Sequence, residues 1–171
     1  MLFRSGSDTR NYKRDNGDEL YRRSLYTFIK RSAPPAQMEI FNAPNRQTCT
    51  VRRERTSTPL QALVTLNDEQ FVEAARRLAE ETLKLGGAKE AQRVEFMAKR
   101  LLARAFRPEE RRVVENGLKD LLAHYRSEPK EAERLIAVGE STADASLDQP
   151  ALAAYTMVAN QLMNLDEVLN K

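Results

Sequence analysis

The chain has one cysteine, one histidine and no tryptophan in 171 residues. With Cys49 alone, no disulfide can close within the chain. A structural zinc site takes about four Cys or His ligands, and Cys49 with His124 falls short of that. A covalently attached haem needs a CxxCH run, and none occurs. No metal and no cofactor are therefore expected. Six glycines and seven prolines are too few to turn the many short strands of a β-sandwich. Long apolar runs are missing too. The longest uncharged stretch, Gln149 to Leu165, is interrupted by Thr156, Asn160, Gln161 and Asn164. It falls short of the ~20 apolar residues that span a bilayer and reads as a buried helix, so no membrane span is expected. Residues 1–17 hold no apolar stretch of the length a signal peptide requires.

What is present is charge and helical pattern. Apolar residues make up 41% and charged residues 31%, a balance ordinary for a helical globular protein. The net charge of +3 conceals an asymmetry. Residues 1–57 carry 12 Lys/Arg against 6 Asp/Glu, and residues 58–171 carry 16 against 19. The first third is thus the place to look for an anionic partner, or else it is a solvated basic face.

Residues 1–17 read as an irregular segment and 18–171 as a single helical domain. Asp18 can cap a first helix running to Arg31, with Leu20, Leu25, Phe28 and Ile29 as its apolar stripe, stopped by Ala33-Pro34-Pro35. Residues 36–57 read as extended or looping, with a short strand over Thr48 to Val51. Thr58-Pro59-Leu60-Gln61 has the form of a capping box with proline at the first helical position. The helix it opens carries Leu60, Leu63, Val64 and Leu66. Asn67-Asp68 interrupts and caps the next helix, which Gly86-Gly87 ends. Further helices are expected over 88–106, from Pro108 with Val113, Val114, Leu118, Leu121, Leu122 and Tyr125 on one face, and from Pro129 to Gly139. A long helix from Pro150 and one more turn over Asp166 to Leu169 complete the set. The expected fold is all-α: six or seven helices in an irregular orthogonal bundle, with no sustained heptad.

The densest polar cluster precedes the capped helix at Pro59. Arg52, Arg53 and Arg55 offer fork-shaped donors for sulfate, phosphate or carboxylate. Thr56, Ser57 and Thr58 lie beside the free N–H groups of a helix start. The candidate site is therefore an anion-binding one at Arg52, Arg53, Arg55, Thr56 and Thr58. The competing reading pairs the arginines with acidic groups of later helices. Catalytic readings are weaker. Cys49 needs a base, and nothing in the spacing brings His124 to it. Asn67-Asp68-Glu69 and Asn164-Leu165-Asp166-Glu167 are explained by helix capping at Asp68 and Asp166. Tyr12, Tyr21 and Tyr26 lie among Arg22, Arg23, Lys30 and Arg31, a mixture that can bind single strands. No nucleic-acid motif accompanies it, so a nucleic-acid partner is disfavoured.

Several segments together resemble one bacterial family. They are Leu20 to Arg31, Ala33-Pro34-Pro35, Cys49 to Arg53, Arg55 to Leu63 followed by Leu66-Asn67-Asp68, Ala137 to Ser141, and Asn164 to Glu167. The resemblance is to the domain of unknown function numbered fifteen fifty-three, the C-terminal part of planctomycete PSD-one proteins. It covers roughly residues 18–170, and departs at Ile29, where an aromatic is expected, and at Glu69, where proline is common. It implies the C-terminal portion of a larger domain in an exported protein, often joined to a cytochrome-c-like part. Upstream domains of the same protein and an anionic, sulfated glycan are the partners it suggests, at the periplasm or cell surface. It assigns no catalytic residue. Three functions stay open: a non-catalytic docking module, part of a polysaccharide-active enzyme completed by upstream residues, and a purely structural domain.

Overall fold

Side-chain caps at Thr58, Asp68 and Asp148 and prolines at positions 59, 108, 129 and 150 mark five of the helix starts. The computed structural model describes residues 16–27, 29, 34–44, 48–52 and 54–170. Among the described residues there are eight α-helices, six of them longer than one or two turns, and no strand. The all-α expectation holds. The chain divides into two compact units, Met1–Gln61 and Ala62–Lys171. Charge divides at the same place, because Thr58 to Gln61 carry none: the first unit holds the excess of six cations, the second an excess of three anions.

In the first unit, the described part of the helix expected over 18–31, residues 18–27, is not α-helical. Two 3-10 turns, Gly17–Tyr21 and Ser24–Tyr26, stand in its place, and Arg22 between them is extended at ψ 144°. Leu25, meant for the buried stripe, is 76% exposed. A helix this short is marginal unless an apolar face is packed, and this one packs little. The residues beyond it at 28 and 30–33, like the segment 1–15, lie outside the described residues. A helix α1, Ala36–Ile40, forms where a loop was expected, directly after Pro34-Pro35. The strand expected at Thr48 to Val51 is instead an exposed loop.

Helix α2, Pro59–Asn67, leads from one unit to the next. Its inner and outer faces reverse the usual order. Gln61 and Thr65 are buried, at 3% and 1% exposure, while Leu60, Leu63 and Leu66 stand out at 53%, 58% and 38%.

The second unit holds the core. Asp68 caps α3, Glu69–Leu85, its carboxylate accepting from the Gln70 N–H at 2.9 Å. Gly86-Gly87 close it, Gly87 taking φ +94°. Helix α4, Glu90–Leu102, ends four residues earlier than expected, at Ala103 in the left-handed conformation (φ 59°). Helix α5, Pro108–Ser127, and α6, Pro129–Ile136, each open on proline. On α5 Leu118, Leu122 and Tyr125 face in, but Val113 is 71% exposed. Helix α7, Gln149–Met163, starts at an Asp148 cap and is buried on nearly every side, as the missing charges foretell. A last turn, α8, spans Asp166–Leu169. Helix α7 packs against α3, α5 and α6. Ala75 and Ala79 of α3 and Ala153, Ala154 and Ala159 of α7 are fully buried, which lets helix axes approach closely. No helix among the described residues is long and apolar enough to cross a membrane.

Candidate anion-binding site

The buried amide of Gln61 organises the loop before α2. Its Nε2 donates to the Ile40 carbonyl and to Thr56 Oγ1, each at 2.8 Å. Its Oε1 accepts from the Thr58 N–H at 3.0 Å, and its own N–H donates to Thr58 Oγ1 at 3.2 Å. Gln61 thus completes the capping box and ties α1 to the loop as well. Asn42, left-handed at φ 53°, donates to the same Thr56 hydroxyl at 2.6 Å. Two of the sequence-predicted site residues, Thr56 and Thr58, are therefore engaged in holding this loop.

The arginines stand differently. Arg52 and Arg55 are exposed, and neither has a hydrogen-bond or ion-pair partner among the described residues. Arg53 lies outside the described residues. Within the same unit a cleft of about 530 Å³ takes Arg52 as one wall, with Glu39, Glu54, Asn42, Thr48 and Thr50 as other polar lining. Two carboxylates share the cleft with one guanidinium, which disfavours an anion inside it.

Cys49 is exposed in the first unit. His124, in the second, is exposed on α5, lies 2.9 Å from Glu131 Oε2 and meets Tyr125 edge to face. Tyr21 and Tyr26 are half exposed, and Arg22 pairs with Glu19 at 2.9 Å; Tyr12, Lys30 and Arg31 lie outside the described residues. Asp166 does not cap α8. It accepts from the Asn170 side chain at 2.6 Å, while Glu167 joins a clamp around Arg104. Arg104 holds Glu167 at 2.8 and 2.9 Å and Glu110 at 2.8 and 3.0 Å. The Arg104 guanidinium, with the Arg107 N–H, pulls the Glu110 carboxyl down to about 2. Likewise Lys84, then Ser146, holds the Asp144 carboxyl well below the usual range. No group of three or more potential metal ligands occurs among the described residues.

One polar cluster was missed by reading the sequence. Arg76 and Glu73 on α3 are 1% and 3% exposed and lie 3.6 Å apart. Arg76 donates to the carbonyls of Ile136 and Ser141, each at 2.5 Å, and to Ser141 Oγ at 2.7 Å. Glu73 accepts from the N–H groups of Glu140 at 3.1 Å and Ser141 at 2.9 Å, and from the Ser141 hydroxyl. A methyl group on Gly139 (φ +99°) would meet the Glu73 carboxylate at 2.5 Å. The pair pins the loop after α6 to α3. The signal was there: Arg76 sits four residues after Val72 and three before Ala79, inside the apolar stripe of α3.

Comparison with known proteins adds a family. The PSD1 family, described as a protein of unknown function (DUF1553), matches residues 3–118. The chain belongs to this family. The PSD1 match takes in the arginine loop, α2 and the Glu73–Arg76 pair, and stops within α5. The loop at Ala137 to Ser141 and the turn at Asn164 to Glu167, which also resemble the family in sequence, lie beyond it. No curated protein and no solved structure matches the chain.

Proposed function

We propose that this PSD1-family chain is a non-catalytic helical module whose first unit presents a basic surface to an anionic partner. The second unit holds the apolar core. The observation that carries this reading is the division of charge at the boundary of the two units, with Arg52 and Arg55 exposed and unpaired on the basic side. Guanidinium forks recognise sulfate and carboxylate in two-point fashion, so a sulfated glycan is the partner chemistry we favour. In this reading Arg52, Arg53 and Arg55 make the contact, and Thr56 and Thr58 set the loop that carries them. The setting is an exported multidomain protein, with upstream domains beside this one.

The test replaces Arg52, Arg53 and Arg55 together by Gln. Titration with a sulfated glycan, a neutral glycan, phosphate and single-stranded DNA is followed by calorimetry. The intact chain is expected to bind the sulfated glycan and not the neutral one. The triple variant, still folded by circular dichroism, should lose at least about tenfold in affinity. Unchanged affinity would sink the reading, and binding to DNA alone would replace the glycan by a nucleic acid.

A further inference from the structure

The cleft in the first unit is lined by unspent charge. Glu39, on α1, and Arg52 and Glu54, on the loop that follows, all line it. All three are exposed, and none has an ion-pair or side-chain hydrogen-bond partner among the described residues. The Thr48 and Thr50 hydroxyls, also in the lining, are equally unengaged. Half-buried Met38, Pro34 and Ile29 give the cleft an aliphatic part. Its two sides are fastened together. Asn42, just after α1, donates to Thr56 Oγ1 at 2.6 Å, and Gln61 Nε2 joins that hydroxyl to the Ile40 carbonyl at 2.8 Å each. The cleft therefore exists before any ligand arrives, which lowers the cost of binding. At about 530 Å³ it has the size of a small-molecule site.

The lining selects the chemistry. No aromatic side chain of the described residues lines the cleft, so a nucleobase has nothing to stack on and a quaternary ammonium has no cage. Two carboxylates repel a polyanion. An uncharged apolar ligand would strip water from three unpaired charges. What remains is a ligand with one counter-ion for each charge: an ammonium group for Glu39, another for Glu54, and a carboxylate for the fork of Arg52. An aliphatic stem between those groups suits Met38, Pro34 and Ile29. A free basic α-amino acid has this make-up.

We propose that the cleft binds a free basic α-amino acid of the lysine type. This site goes beyond the anionic-partner reading and does not rest on it, although Arg52 enters both.

Titration calorimetry of the full chain with L-lysine tests it. The comparison ligands each lack one charge: norleucine the side-chain ammonium, Nα-acetyl-L-lysine the α-ammonium (as at the end of a peptide), and cadaverine the carboxylate. L-lysine is expected to bind with a Kd below about 5 mM. Each comparison ligand should bind about threefold to fivefold more weakly, the scale of one exposed ion pair. Amide shifts on adding L-lysine should fall on α1, Asn42 and the loop from Thr48 to Glu54, and spare α7. Glu39→Gln and Glu54→Gln, both at exposed positions and folded by circular dichroism, should each weaken L-lysine by the same factor. Neither should weaken the sulfated glycan, so failure of this site and failure of the glycan reading are told apart. No binding of L-lysine, equal binding of norleucine, amide shifts outside the cleft, or indifference to both glutamate changes would each overturn the proposal.

Discussion

At the scale of single residues, the unusual feature is a charge pair where a core position belongs. Arg76 is among the largest fully buried side chains, and its Nε has no partner among the described residues. Breaking a buried pair from one side leaves an uncompensated charge, which costs about 3–5 kcal/mol. Arg76→Met should therefore lower unfolding stability by that order in a urea titration. Adding Glu73→Leu should not recover the loss, because the Glu140 and Ser141 N–H groups then lose their acceptor too. The exposed clamp behaves oppositely, through pH. Glu110 titrates near 2 instead of its ordinary 4.5, so its stabilising contribution is complete above about 4.5 and vanishes as pH falls towards 2. Thermal melts across that window should fall more steeply for the intact chain than for Glu110→Gln. The sequence hid both features for one reason: a charge on a helix reads as a solvated face, and only its register against Val72 and Ala79 marks Arg76 as internal.

At the scale of helices, most of α3 to α8 was legible because capping and breaking residues act locally. Asp68, Pro108, Pro129 and Asp148 stand at helix starts as their chemistry requires. The inner face of α2 was not legible. Hydrophobic pattern assigns leucines to the core, whereas here the bonds of Gln61 and Thr65 decide the rotation. Nor was the 3-10 form at Gly17–Tyr26, since packing that lies far away in sequence decides whether so short a helix persists. The end of α4 was missed because its left-handed residue is an alanine rather than glycine. That conformation costs an alanine about 1–2 kcal/mol, and glycine loses roughly 0.5–1 kcal/mol through its freer unfolded chain. Ala103→Gly should thus raise the melting temperature slightly, by about 0.5 kcal/mol of stability. A lower melting temperature would mean that the Ala103 methyl packs more than its exposure indicates.

At the scale of the whole molecule, burial and charge are unequally shared. Every buried apolar side chain of the described residues lies between Val72 and Leu162, inside the second unit. In the first unit the only buried residue among those described is Gln61, a polar one. Apolar burial is the main favourable term in folding, and local opening free energies follow it. Hydrogen exchange should therefore separate the two units. Amides of α7, buried on almost every side, should exchange only through global unfolding. Those of α1, with no buried residue, should exchange orders of magnitude sooner, through openings that leave α7 intact. The sulfated glycan of the proposed function should slow exchange around the arginine loop and α1 while hardly changing α7. Equal protection of α1 and α7 in the free chain would show that the first unit draws its stability from the same cooperative core, and that its charge alone sets it apart.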